Sequence, residues 1–365
     1  MENQEPEIIV QQPLEHSSVP DSNKKFSWIL PIVVISITVL ILLLGFGYFL
    51  MIKSKPAIEK TGTLYTGKIL IGYTIWPGYL GLYIARDKGF FKDAGLDVSL
   101  KKFEGFSALH QAFKDKQLQG QATLTYDAVD EIYNHIDQKV ITAVDYSNGS
   151  DGIIAGSNIT TLSQAKGKRF GFEQGTMEEF FTRTALEQYQ LQVSDIVPVN
   201  LDAGAAADAL EKGKVDIATT FEPYMTKTVE KTKGHILFTS ADAPGAITDI
   251  LTFYSDFTKR YPTTVQAIVV AYFRGITFWK EHPEEANAII AKELAVSPEE
   301  AKKELKGISV LDLNGNIAAL TFSPGLNSVY GNMRQISRLI AQQKHTNAID
   351  TDTLINPVFV HELQQ

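Results

Sequence analysis

The chain has 365 residues, 34 Lys and Arg against 42 Asp and Glu, a formal net charge of −8, and no cysteine. That length holds one or two domains with real cores, and an acidic balance with dispersed Lys and Arg argues against a nucleic-acid surface. Without cysteine, disulfides, zinc–thiolate sites, iron–sulfur clusters, thiol catalysis and an N-terminal lipid-bearing Cys are excluded.

Residues 1–25 are polar, acidic and Pro-containing, and read as a disordered cytoplasmic tail. Residues 26–52 carry no charge and are nearly all aliphatic or aromatic. This exceeds the ~20 apolar residues a membrane-crossing helix needs, and the run is too long for the ~7–15-residue core of a cleaved signal. An uncleaved transmembrane signal anchor is expected. Lys24 and Lys25 precede it and Lys53 and Lys55 follow it, so charge alone leaves its orientation open. Residues 53–67 read as a linker.

From there strand and helix signals alternate. Strands are expected over 69–73, 95–103, 121–125 and 140–146, with helices over 78–91, 106–116 and 128–136 between them. A Gly-rich connection over 148–152 leads to a second run. Its strands are expected over 169–173, 196–201, 215–221 and 236–239, its helices over 176–189, 205–212 and 224–232. Beyond Tyr261 the signals are helical: 263–281, 283–294, 298–306 and 326–343. Such alternation predicts an α/β fold with two lobes, each a parallel or mixed sheet covered on both faces.

Several turns at strand ends carry polar and aromatic groups. Trp76-Pro77-Gly78-Tyr79 closes the first strand, where Pro77 holds Trp76 extended; Trp76 reads either as a ligand contact or as a core aromatic. Gly105-Phe106-Ser107 follows the second strand and Thr125-Tyr126-Asp127 the third. Glu173-Gln174-Gly175-Thr176 leads into a helix with Thr176 as N-cap, in a capping box with Glu179 or as an anion-binding end. Phe221-Glu222-Pro223-Tyr224 ends another strand, as a ligand wall or a plain turn with Pro in the first helical turn. Together these put polar and aromatic side chains at one end of several strands, as a cleft requires. No H-E-x-x-H, G-x-S-x-G, P-loop or dinucleotide fingerprint occurs, so no catalytic residues and no metal or cofactor site are expected.

Read in order, WPGYLGLYIARDKGFFKDAGLDV, GQATLT, RFGFEQGTMEEFFTRTAL and ADALEKGKVDIATTFEPYMTK make residues 65–363 resemble type II periplasmic solute-binding proteins of the nitrate/sulfonate/taurine class, relatives of the thiamine-pyrimidine-precursor binders. The resemblance implies the two-lobed type II fold, with lobe 1 over 66–150 and 250–365, lobe 2 over 151–249, and crossovers near 147–154 and 246–254. It implies capture of a small ligand for the permease and ATPase subunits of an ABC importer, with no chemistry and no cofactor. The positions carried over are Trp76, Tyr79, Ser107, Thr125, Tyr126, Thr176, Phe221 and Glu222, aromatics stacking the ligand and hydroxyls or helix-end N–H groups holding its polar head. It also places the globular part outside the cytoplasmic membrane, in the periplasm or exterior, tethered through 26–52. The expected cleft is acidic, with Asp127, Glu173, Glu178, Glu222 and Asp249 and no evident Arg. That favours a ligand with an amine or ring N–H donor, such as taurine's ammonium or an aminopyrimidine. The alternatives are a ligand sensor serving a membrane partner and an enzyme of the thiamine-pyrimidine synthase type, whose cysteine-rich motif is missing here.

Overall fold

The computed structural model describes residues 64–364. The expected tail and membrane anchor, and the linker up to residue 63, lie outside the described residues. Among the described residues no helix is long and apolar enough to cross a membrane.

The chain opens with β1 (Ile69–Thr74), a 3-10 turn (Pro77–Tyr79), α1 (Leu80–Asp87), α2 (Phe90–Asp93), β2 (Val98–Phe103), α3 (Phe106–Lys114), β3 (Gly120–Leu124), α4 (Thr125–Tyr133) and β4 (Gln138–Ser147). The single helix expected over 78–91 is interrupted. Pro77 starts a tight turn, and Gly89 at φ 76 separates α1 from α2, a left-handed conformation that glycine takes without steric cost. The second run contains β5 (Asp151–Ala155), β6 (Arg169–Phe172), α5 (Met177–Gln188), β7 (Val197–Asn200), α6 (Ala203–Glu211), β8 (Ile217–Phe221), α7 (Tyr224–Thr232) and β9 (His235–Thr239). The chain then returns through β10 (Thr248–Tyr254) to α8 (Ser255–Arg260), α9 (Pro262–Glu281), α10 (Pro283–Leu294) and α11 (Pro298–Leu305). It ends with β11 (Ile308–Val310), α12 (Leu313–Ala319), α13 (Val329–Gln343) and α14 (Val358–His361).

Two mixed sheets result, ordered β11-β4-β10-β3-β1-β2 and β7-β6-β8-β5-β9. In the first, β1 runs parallel to β2 and β3, and β10 runs antiparallel to β3 and β4. In the second, β6 runs parallel to β7 and β8, while β5 runs antiparallel to β8 and β9. The chain passes from the first sheet to the second between β4 and β5 and back between β9 and β10. Both β5 and β10 are covered on both faces. They therefore lack the alternation that marks a half-exposed strand, and their short apolar runs beside Gly and Asp read as connections in the sequence.

Each sheet has its own apolar core. The larger, over the first sheet, joins Ile69, Ile71, Tyr79, Tyr83, Leu251 and Phe253 to Val265, Tyr272 and Ile276 of α9. The second sheet encloses Ile153, Phe170, Phe172, Phe181, Ile217 and Phe238. Burying side chains of this size contributes about 1.5–3 kcal/mol each.

Candidate functional site

A hydrogen bond from Ser147, the last residue of β4, to Asp151, the first of β5, brings an end of the first sheet beside an end of the second at a rim. On the first sheet Asp249, at the start of β10, is the Cα partner of both Leu124, the last residue of β3, and Asp145 of β4. On the second, Asp151 opens β5 opposite Phe221, the last residue of β8. Trp76 follows β1, Ser107 lies in the first turn of α3, Thr125 and Tyr126 begin α4, and Thr176 caps α5.

Carboxylates form the floor of this rim. Asp145 is fully buried, Asp249 is 3% exposed and Asp151 8%. Each is met by neutral donors. The Trp76 indole N–H donates to both oxygens of Asp145, at 3.3 and 3.2 Å. The Tyr79 hydroxyl donates to Asp249 Oδ1 at 2.5 Å, and Ser147 donates to Asp151 Oδ2 at 2.5 Å. Gly78 makes the Trp76–Asp145 contact possible, since a Cβ there would lie 2.0 Å from Asp145 Oδ2. No ion pair among the described residues brings Lys or Arg to Asp145, Asp151 or Asp249.

Burial without a cation drives these acids toward their neutral forms. Burial pushes Asp151 up to about 7, with Glu178 adding repulsion. Asp127, at the partly exposed mouth, is pushed to about 7 by desolvation, while Thr123 donates to it at 3.3 Å and opposes the shift. Asp145 and Asp249 are raised by burial above all and repel each other, each also sensing Asp151. Glu173 and Glu178 are raised in the same sense. His110 stands 3.6 Å from Asp127, and burial lowers it to about 4. It is therefore neutral near pH 7 and offers the acids no charge.

The expected contact residues divide by placement. Trp76 is half-buried, its ring edge committed to Asp145. Tyr79 is fully buried and acts on the rim through Asp249. Thr125 and Tyr126 are buried, and Ser107 is exposed. Thr176 is the N-cap, accepting from the Glu178 N–H at 3.2 Å, while the Glu179 carboxylate takes the Gly175 N–H at 2.8 Å, one residue before the position a capping box would use. Phe221 and Tyr224 are exposed and meet edge to face at 5.6 Å. The Glu222 carboxylate accepts the Thr226 hydroxyl at 2.6 Å and its N–H at 3.2 Å, so it caps α7. Pro223, expected in the first helical turn, stands at the N-cap position.

Asp145 and Asp151 are absent from the residues read from the sequence. The available signal for Asp145 was a lone charge inside the apolar run Val140–Val144 and Tyr146. For Asp151 it was an acid directly after a Gly-rich turn.

The two lobes touch at the rim. Met177 packs against both cores, and Phe180 of α5 enters the core of the first lobe. A hydrogen-bonded chain crosses between them. The Tyr126 hydroxyl donates to Gln343 Oε1 at 3.3 Å, and Gln343 Nε2 donates to Glu179 Oε2 at 2.9 Å. Two open grooves lie elsewhere, on the helices of the first lobe. One, of about 400 Å³, is lined by Phe90, Arg274, Phe278 and Leu363; the other, of about 430 Å³, lies beside Trp279 and Lys302. Neither includes a rim residue.

A family model described as NMT1/THI5 like matches residues 76–286. A Brucella abortus (strain 2308) protein provisionally named a binding protein is 24% identical over 230 residues, covering 61% of this chain and 70% of its own. A Bacillus subtilis (strain 168) protein provisionally named as binding aliphatic sulfonates is 25% identical over 222 residues, covering 56% of this chain and 64% of its own. Among solved structures, the periplasmic aliphatic sulphonate binding protein SsuA from Escherichia coli aligns with a TM-score of 0.65 at 16% identity, over 80% of this chain and 92% of its own. A periplasmic sulfonate-binding protein SsuA from Methylobacillus flagellatus KT aligns with a TM-score of 0.66 at 15% identity, over 83% and 96%. These likenesses show the two-lobed periplasmic-binding-protein fold with mixed sheets.

Proposed function

This chain belongs to the NMT1/THI5-like family, and from that membership, with its two-lobed fold, we infer that it is an extracytoplasmic solute-binding protein. It captures a small polar organic ligand at the rim between the lobes and delivers it to the permease of an ABC importer. What supports this reading is the placement of buried carboxylates beside the proposed contact residues: Trp76 donates to Asp145, Asp151 pairs with Phe221, and Thr125, Tyr126 and Thr176 stand at helix starts. Closure would sequester the ligand, and the affinity difference between open and closed forms would drive it. Relatives named as sulfonate-binding proteins support a ligand of that size and polarity.

The floor favours a ligand that brings its own positive charge or N–H donors. Where Asp145, Asp151 and Asp249 are ionised, a simple alkylsulfonate would set its anion beside them with no ion-paired cation to offset the repulsion. Taurine's ammonium or an aminopyrimidine's amine would instead supply donors to these oxygens. Residues 26–52 would anchor the protein at the cytoplasmic membrane, with the globular part in the periplasm or exterior. Confinement there would raise its effective concentration at the permease.

The test is thermal unfolding of the purified chain against ethanesulfonate, taurine, nitrate and 4-aminopyrimidine. At least one amine-bearing compound should raise the Tm of wild type, and Trp76→Ala should abolish the rise. A rise retained in Trp76→Ala, or no rise with any compound, would refute the site.

A further inference from the structure

The face of the first sheet beneath α4 holds a second polar cluster. Gln121 of β3 and Thr252 of β10 are fully buried, Gln138 at the start of β4 is 1% exposed, and Glu131 of α4 is 4% exposed. Gln121 and Thr252 are cross-strand partners. Tyr254, two residues beyond Thr252, pairs with Gln138. Side chains alternate along strands and cross-strand partners share a face, so all three project toward the face that Glu131 covers. Glu131 Oε2 accepts the Gln121 and Gln138 amide N–H groups at 2.7 and 2.6 Å. The second Gln138 N–H points to the Ala128 carbonyl at 3.4 Å.

This leaves four shielded oxygens with no hydrogen-bond partner: Glu131 Oε1, Gln121 Oε1, Gln138 Oε1 and Thr252 Oγ1. Three are pure acceptors, and only the threonine carries a proton. No Lys, Arg or His among the described residues is ion-paired with Glu131. Asp127 and Asp130, on the same helix, add negative potential. From β10, the Tyr254 hydroxyl is turned away, donating to the Phe113 carbonyl. Buried carboxylates are paired or hold metal ions, because an isolated buried charge is costly.

We propose that Glu131 Oε1, Gln121 Oε1, Gln138 Oε1 and Thr252 Oγ1 hold a monovalent cation, Na⁺ or K⁺, between α4 and the sheet. An all-oxygen donor set suits a hard cation. One carboxylate with three neutral oxygens balances a single positive charge, whereas Ca²⁺ takes 6–8 oxygens. The ion ties α4 to β3, β4 and β10, and the first turn of α4 carries Thr125 and Tyr126 at the rim. Without the ion, burial holds the Glu131 carboxyl near a pKa of about 8; the cation favours the ionised form.

The experiment is thermal unfolding of the full chain at pH 8.5 in choline chloride, NaCl and KCl at equal ionic strength. Wild type should gain about 2–4 °C in NaCl or KCl over choline chloride. Glu131→Gln should lose that difference. Should Glu131→Gln fail to fold, the near-isosteric Thr252→Val should fold and reduce it. Crystals grown in RbCl should show an anomalous peak among the four oxygens. Equal Tm in all three salts, or ordered water without an anomalous peak, would overturn the assignment.

Discussion

Tyr79→Phe tests the buried carboxylate floor at its most constrained point. The ring is fully buried and phenylalanine preserves its packing, so the substitution removes one hydroxyl and little else. That hydroxyl is the donor to Asp249 Oδ1. Asp249 faces Asp145 across adjacent strands and lacks an ion pair. Leaving such an acceptor unmet costs about 1–3 kcal/mol, which lowers Tm by roughly 2–6 °C for a domain of this size. The sign of the pH dependence follows from the charge. The hydroxyl stabilises the ionised carboxylate, so its loss raises the proton affinity of Asp249 further. Below both proton affinities the acid is neutral in either protein and the cost is small; as pH rises the ionised form is stranded and the cost grows. Differential scanning calorimetry of wild type and variant at pH 6 and pH 9 measures both. An equal loss at the two pH values, or a variant as stable as wild type at pH 9, would refute the role given to Asp249.

The raised acids make a broader prediction. Asp127 and Asp151 move from 3.8 to about 7 and, in choline buffer free of Na⁺ and K⁺, Glu131 from 4.5 to about 8, so the folded state holds protons that the unfolded state has released. Ligand-free stability should fall as pH rises from 6.5, by up to about 1.4 kcal/mol per pH unit for each proton still held, levelling off above about 7 for the two aspartates and about 8 for Glu131. His110, lowered to about 4, works in the opposite sense only below 6.5; urea midpoints that stay flat or rise over 6.5–8 would contradict the assignment. Gly78→Ala should drive the Asp145 carboxylate off Trp76 and cost about 1–3 kcal/mol, with a shift in Trp fluorescence that Gly105→Ala, where a Cβ meets open space, does not produce. Gln343→Ala breaks the link between Tyr126 and Glu179. It should increase the radius of gyration of the ligand-free protein in small-angle scattering and leave that of the liganded form unchanged.

Much of this architecture is written locally in the chain. α7 and α10 begin and end where apolar spacing and Pro223 or Pro283 place them, because those signals act within one helical turn. The turns at 76–79, 125–127, 173–176 and 221–224 could be identified as strand ends for the same reason. What sequence order conceals is pairing. Asp145 is a lone carboxylate in a strand buried on both faces, and only the antiparallel register with β10 sets it against Asp249. β5 is invisible because a strand buried on both faces has no period to detect. The Glu222 oxygens are engaged by Thr226, a local bond between an acceptor and a donor four residues apart.

The proposed site holds ligand at the rim between the sheets, with positive or N–H groups toward the acids. A crystal structure grown with whichever amine-bearing compound raises the Tm tests it most directly. The expected result is ligand density against the Trp76 ring, with an N–H within hydrogen-bond distance of Asp145, Asp151 or Asp249. Density in the groove beside Phe278, or a sulfonate group seated on those carboxylates, would contradict it.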